Sequence, residues 1–240
     1  MSLYQDFLNS KKKNQRLLAI LIDPEKTSVE DIPVITNKIE KSPATHILIG
    51  GSTYNGKNLD NFISILKKEL SIPVILFPGN FTQISDLADG ILFLSLISGR
   101  NPDFLIENQV KAAPVLKKLT LEIIPTGYLL IDGSRESAVS RVSKTTPILN
   151  NDIETAVNTA LAGEMLGMKL VYLEAGSGAK NPVSSKMITA VKKQLSVPLI
   201  VGGGITSQQQ LNNAFEAGAD LIVIGTAFEN DINFFDKLTL

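Results

Sequence analysis

Apolar residues come in short unbroken runs along this chain, and between the runs they return every three or four positions. The runs fall at 17–22, 45–49, 73–77, 90–94, 121–124, 169–174, 198–201 and 221–224. Segments apolar on successive residues suit strands buried on both faces of a parallel sheet. Between them the spacing predicts helices. Thr27-Ser28-Val29-Glu30 reads as a capping box opening a helix to about Lys41. Over 58–70, Leu59, Phe62, Ile63, Leu66 and Leu70 share one helical face. Asn101-Pro102 starts a further helix with proline in its first turn. Later helices are expected over 152–166, 182–195 and 206–217. Eight strands with helical crossovers predict an α/β fold, the TIM (β/α)8 barrel, as a single domain over 1–240.

Two stretches break the alternation. Residues 77–90 leave too little room for a full helix, so the helix after strand three is expected to be reduced or missing. Residues 126–151 are long and carry Gly127, Gly133 and Pro147 as breakers. A βα segment of this length sits on the catalytic face of a barrel, as a lid or substrate wall, although a plain insertion with a short helix would look the same.

Composition narrows the function. The 240 residues match one barrel, for which about 250 is typical. A net charge of −1 argues against non-specific nucleic-acid binding. With no cysteine there is neither a disulfide framework nor a thiolate metal site, which suits the cytoplasm. Residues 1–13 are polar, with lysines at 11–13, and lack the apolar core of a signal peptide. Those lysines read as a solvated helix end, with membrane-surface attraction the lesser reading. No apolar run is long enough to span a membrane.

Candidate chemistry collects at the carboxyl ends of the strands, which face the active site of a barrel. Gly202-Gly203-Gly204 after strand seven and Gly225-Thr226 after strand eight expose backbone N–H groups suited to a phosphate. Asp23 closes strand one in phase with Ala19 and Leu21; there it is a Mg²⁺ ligand, a general base or a helix cap. Ser52, after Gly50-Gly51, could complete a metal site, bind phosphate or be an ordinary turn serine. Strand six runs into Tyr172-Leu173-Glu174-Ala175-Gly176-Ser177-Gly178. Tyr172 and Glu174 share a face, and with Leu173 turned to the helices both project into the mouth. An inward carboxylate there is costly without a task, although a pair with Lys180 would make it scaffold. Arg100 follows strand four and could clamp a second phosphate or be a surface arginine. His46, the only histidine, lies at the wrong end of strand two for chemistry and reads as structural.

Ile22-Asp23-Pro24, Gly50-Gly51-Ser52, the run from Tyr172 to Gly178, Gly202-Gly203-Gly204-Ile205 and Gly225-Thr226-Ala227-Phe228-Glu229 together resemble the geranylgeranylglyceryl phosphate synthase family. The resemblance spans nearly the whole chain. The strand-six motif is fairly specific, whereas the later glycines are shared by many phosphate-binding barrels. Family members also lack a regular third helix. The resemblance implies transfer of a polyprenyl group to the C3 hydroxyl of sn-glycerol 1-phosphate, making an ether of lipid synthesis and releasing diphosphate. It implies Asp23 and Ser52 as Mg²⁺ ligands. It places Tyr172, Leu173, Glu174, Ala175, Gly176, Ser177, Gly178, Gly203, Gly204, Gly225 and Thr226 around glycerol phosphate. Glu174, Tyr172 and Asp23 become the catalytic candidates. The donor tail needs an apolar groove near strands three and four, with transient contact at a membrane surface. Phe104 lies where the family sets tail length, which favours a C20 donor over C35. The resemblance further implies a homo-oligomer, a dimer or a hexamer; Ala160, Ala162 and Gly163 could pack on a partner or equally on the barrel.

Three other readings compete. A phosphosugar isomerase or cyclase of amino-acid biosynthesis needs an acid and a base across the mouth, yet strand five, read as ending at Ile124-Pro125-Thr126, offers no carboxylate before Asp132. A non-catalytic phosphate-binding barrel would have no use for Asp23 and Glu174. An all-helical prenyl synthase is excluded, since no adjacent aspartates occur and the pattern is strand-rich.

Overall fold

A computed structural model of the chain describes residues 2–238; the ends of the expected domain, Met1, Thr239 and Leu240, lie outside the described residues. In order it contains α1 (Leu3–Lys12), β1 (Leu17–Ile22), α2 (Ile32–Glu40), β2 (His46–Ile49), α3 (Leu59–Glu69), β3 (Val74–Leu76), β4 (Gly90–Leu96) and α4 (Asn108–Leu116). There follow β5 (Glu122–Leu130), α5 (Ala138–Ser143), α6 (Ile153–Met165), β6 (Leu170–Glu174), α7 (Ser185–Gln194), β7 (Leu199–Gly202), α8 (Gln208–Glu216), β8 (Leu221–Ile224) and α9 (Thr226–Asn230). The strands close in sequence order into a parallel eight-stranded barrel.

Alternation along each strand divides the core in two. Leu17, Ala19, Leu92, Ile124, Leu170, Tyr172 and Ile200 point into the barrel, while Leu18, Ile20, Ile91, Val171, Leu173 and Val201 pack under the helices. Both faces are therefore dry, which is why the strands read as unbroken apolar runs.

The absence of a helix between β3 and β4 is as expected. Four details differ from the sequence reading. The capping box at 27–30 does not form: Ser28 Oγ donates to Asp31 at 2.8 Å, and one 3₁₀ turn, Val29–Asp31, precedes α2. Pro33 explains the late start, because its fixed φ and missing N–H suit the first turn of the α-helix. Second, β5 runs through Pro125 to Leu130. Its pairing with β6 begins only at Thr126, so the absent N–H forfeits no ladder bond on that side. Third, of the small residues for which barrel and partner were both open, Ala160 and Gly163 are buried against the barrel, where a Cβ on Gly163 would stand 2.7 Å from Ile97, and Ala162 is exposed.

The fourth is α1, which closes the amino-terminal end of the barrel. Ser2 caps it. Glu122 at the start of β5 accepts the N–H groups of Leu3 at 2.6 Å and Tyr4 at 3.1 Å, in keeping with a carboxylate at a helix N-terminus. Leu3 and Phe7 join the interior core, and Phe7 stacks on His46 with centroids 5.0 Å apart. Lys11 is no plain solvated lysine: it donates to the carbonyls of Ser196 and Val197. Among the described residues no helix is long and apolar enough to cross a membrane.

Burial lowers the His46 pKa from 6.5 to about 4. The unfolded chain therefore takes up the proton first, and folding stability falls as pH drops from 6.5 to 4. The His46 share of that loss is on the order of 3 kcal/mol. Urea titrations of wild type and His46→Gln over this window check it: the variant's acid-side slope should be shallower, and equal slopes would count against the assignment.

Candidate active site

A cavity of about 260 Å³ opens at the carboxyl ends of the strands. It has a polar end and an apolar end. At the polar end stand Asp23, Ser52, Glu174, Gly176, Gly203 and Thr226; at the apolar end stand Phe77, Phe81, Phe93 and Phe104.

Glu174 ends β6 and is almost wholly buried. Its Oε1 accepts the Gly176 N–H at 2.6 Å, and Lys180 is not its partner. Burial raises its pKa, opposed by the neighbouring Tyr172 hydroxyl and the Gly176 N–H. Room for the carboxylate comes from glycine. A Cβ on Gly203, which has φ +83°, would lie 2.4 Å from Glu174 Oε1, and one on Gly202 would lie 2.3 Å from the Tyr172 hydroxyl. Tyr172 is fully buried, and its hydroxyl finds no hydrogen-bond partner of good geometry among the described residues. Burial, and then the Glu174 charge, hold its pKa well above the phenol value.

Tyr128 was missed in the sequence because strand five was ended too early. It stands level with Tyr172 across the β5–β6 pair, lines the cavity, and meets Tyr172 edge-on at 5.3 Å. Phe77 stacks on Tyr172 at 5.3 Å. The signal that finds Tyr128 is the inward series Ile124, Thr126, Tyr128, Leu130, once Pro125 is allowed inside the strand.

Asp23 faces the cavity as its phase with Ala19 and Leu21 required. Its Oδ1 accepts the Glu25 N–H at 3.0 Å, and Lys26 Nζ lies 3.9 Å from Oδ2. Burial raises the Asp23 pKa, against the Glu25 N–H and the Lys26 charge. A Cβ on Gly51 would stand 2.5 Å from Asp23 Oδ1, so the carboxylate rests on the backbone that leads into Ser52. No cluster of three or more His, Cys, Asp or Glu suited to a metal occurs among the described residues.

The glycine turns meet over the mouth. Ser177 and Thr226 bond through their hydroxyls at 2.9 Å, joining the β6 loop to the β8 turn. Gly176, Gly178, Gly203 and Gly204 all have positive φ. Segment 126–151 supplies a wall: Ala138, Val139 and Val142 of α5 line the cavity, and Gly133 O accepts the N–H groups of Lys180 and Asn181. At the apolar end a π-turn over 103–107 leads into α4 and sets Phe104 beside the interior core.

The expected contact from Arg100 needs correction. The guanidinium of Arg100 folds back on the carbonyls of Gly99 at 2.6 Å and Ile97 at 3.3 Å and does not line the cavity. The side chain of Leu173 is buried in the helix layer, as the sequence reading had it, and Ala175 packs in the same outer core, so a contact from either would come from its backbone. Asp132 stands just past the end of β5, nearer the mouth than the sequence suggested. Its Oδ1 accepts the Ser134 N–H at 2.8 Å, and it too stays out of the cavity.

The model of the PcrB family matches residues 10–239. The chain belongs to that family. It is 54% identical over 98% of its length, and 97% of the relative's, to a geranylgeranylglyceryl phosphate synthase of Flavobacterium johnsoniae. A protein of the same name from Pyrococcus furiosus is 43% identical over 93% of this chain and 89% of its own. A crystal structure of (S)-3-O-geranylgeranylglyceryl phosphate synthase from Thermoplasma acidophilum, in complex with sn-glycerol-1-phosphate, superposes with a TM-score of 0.93 at 35% identity, covering 99% of this chain and 95% of that one. The resemblance read from the motifs is borne out, and with it the reading of the chain as a transferase enzyme and a TIM barrel.

The Tyr172 hydroxyl lies beside Glu174 and favours its charge, while burial and that charge keep the phenol protonated. Tyr172→Phe takes that neighbour from the buried carboxylate, so the Glu174 pKa should rise further, read as an acid limb of the pH–rate profile displaced to higher pH. An unmoved acid limb would show that the hydroxyl does not act on Glu174.

Proposed function

We propose that this enzyme joins the C3 hydroxyl of sn-glycerol 1-phosphate to a polyprenyl diphosphate, geranylgeranyl diphosphate being the favoured donor, and releases diphosphate in cytoplasmic ether-lipid synthesis. One observation supports the reading above others: a single cavity holds the buried Glu174–Tyr172 pair at one end and Phe81, Phe93 and Phe104 at the other. A polar acceptor and an apolar donor tail fit it together.

Gly203, Gly204, Gly225 and Thr226 cradle the phosphate of the acceptor by backbone and hydroxyl contacts. Glu174 and Tyr172 hold the glycerol hydroxyls. The C3 oxygen forms the new bond to the allylic carbon as the bond from that carbon to the diphosphate oxygen breaks, and the hydroxyl proton goes to the Glu174 carboxylate. A carboxylate raised towards neutral pH by burial is better matched to this task than an exposed one. Its proton-accepting form is lost as pH falls through that raised value, so turnover declines on the acid side above the ordinary carboxylate range.

Asp23 and Ser52 are the residues that would hold Mg²⁺. The fit rests on hard oxygen donors and on Asp23 itself, a buried carboxylate with one backbone N–H bond and lone pairs to spare. Few protein ligands suit an ion that keeps waters and takes phosphate oxygens. When bound it supplies charge stabilisation to the departing diphosphate.

Product formation with purified protein, Mg²⁺ and labelled geranylgeranyl diphosphate tests the reading. Product with glycerol 1-phosphate but not with glycerol 3-phosphate, abolished by chelator, is the expected result. No product with either isomer, nor with a heptaprenyl donor, would overturn it. Glu174→Gln should lower turnover at least about tenfold with the urea midpoint maintained, and near-normal turnover would remove Glu174 from the proton-accepting role. Phe104→Ala should shift donor preference from C20 towards longer chains; an unchanged ratio of kcat/KM values between donors would clear Phe104 of setting tail length.

A further inference from the structure

The charges around the cavity do not match what it is proposed to receive. A phosphate monoester carries about −1.5 to −2 at pH 7, and the donor brings a diphosphate besides. Yet the lining holds the carboxyl groups of Asp23, Glu174 and Glu229 and one basic side chain, Lys26. Arg100 is turned away on its own loop carbonyls. Arg135, bonded to Gly178 O at 3.3 Å, is exposed and does not line the cavity.

Lys26 is also held in a defined place. The carbonyl of Asp23 accepts the N–H groups of both Lys26 and Thr27 at 3.0 Å, so Asp23-Pro24-Glu25-Lys26 is a closed turn. It sets the Lys26 ammonium 3.9 Å from Asp23 Oδ2 on one side and 3.0 Å from Glu229 Oε2 on the other. Glu229 belongs to α9, which begins at Thr226 of the phosphate turn. The ammonium thus stands between the carboxylate proposed for the metal and the strand-eight turn. Its side chain is 52% exposed. An ion pair so exposed contributes little, and lysine's long stem moves its charge at small cost.

We propose that Lys26 grips the diphosphate of the donor, and that Glu229 both orients Lys26 at the rim and competes with the diphosphate for it. This rests on the prenyl-transfer reading above. Lys26 shares the leaving charge with the ion on Asp23, as a point charge that follows the diphosphate outwards. Glu229 repels that anion and keeps Lys26 from holding it too tightly after the transfer.

Calorimetric titration of inorganic pyrophosphate in the presence of Mg²⁺ tests this on wild type, Lys26→Met, Lys26→Arg and Glu229→Gln, with glycerol 1-phosphate titrated in parallel. Lys26→Met should weaken pyrophosphate about tenfold or more and raise KM for the prenyl donor. Lys26→Arg should restore most of the binding. Glycerol 1-phosphate affinity should stay within about twofold throughout. Glu229→Gln should bind pyrophosphate more tightly than wild type. A mere strap between the β1 loop and α9 predicts instead that both losses act alike, so parallel weakening in Lys26→Met and Glu229→Gln would overturn the proposal. So would unchanged pyrophosphate affinity in Lys26→Met. Lys26-dependent pyrophosphate binding in a wild type that forms no prenylated product would uphold the anion site and defeat the prenyl-transfer reading.

Discussion

Burying the Glu174 carboxylate at the end of β6 sets a constraint that its neighbours satisfy together. A charge taken out of water there needs donors at short range and must not meet the bulk of other side chains. The Gly176 N–H supplies one donor at 2.6 Å, which requires the chain to turn sharply just past the strand, with φ +98° at Gly176. Gly202 and Gly203 on the next strand leave the space that any Cβ would fill. Tyr172 and Tyr128 then wall the group off from below, and burial first, then the Glu174 charge, makes their own hydroxyls harder to ionise. The motif around strand six and the glycines after strand seven are thus one solution to one electrostatic problem, although they lie far apart in sequence.

The missing helix between β3 and β4 serves the other half of the cavity. A helix there would cover the barrel as its fellows do. Loop 77–90 and the π-turn before α4 instead bring Phe81 and Phe104 to the cavity, beside Phe77 at the end of β3. The chain gives up regular structure at the place where the proposed donor tail would enter.

Much of this was legible in the sequence. Strands buried on both faces announce themselves as unbroken apolar runs, and glycine turns at strand ends mark where backbone must stay bare. Asp23 and Glu174 were placed by strand phase alone, which depends only on alternation. What failed depended on contacts from elsewhere. Pro125 looked like a strand break, but it falls where the neighbouring strand has not begun, and misreading it hid Tyr128. Arg100 was near the right strand end, yet a long side chain can turn towards its own loop carbonyls, and nothing local decides that. Lys26 was passed over because the turn that fixes it and the glutamate that faces it lie 203 residues apart.

The first helix docks on groups contributed by Gly90, Glu122, Ser196 and Val197, which the ribosome adds long after it. It cannot find its seat until β5 and the α7–β7 connection exist, so its association is among the late events of folding, and the Leu3 and Phe7 side chains remain uncovered through most of synthesis. The barrel floor is thus laid by the segment made earliest, and it waits for partners added more than a hundred residues later.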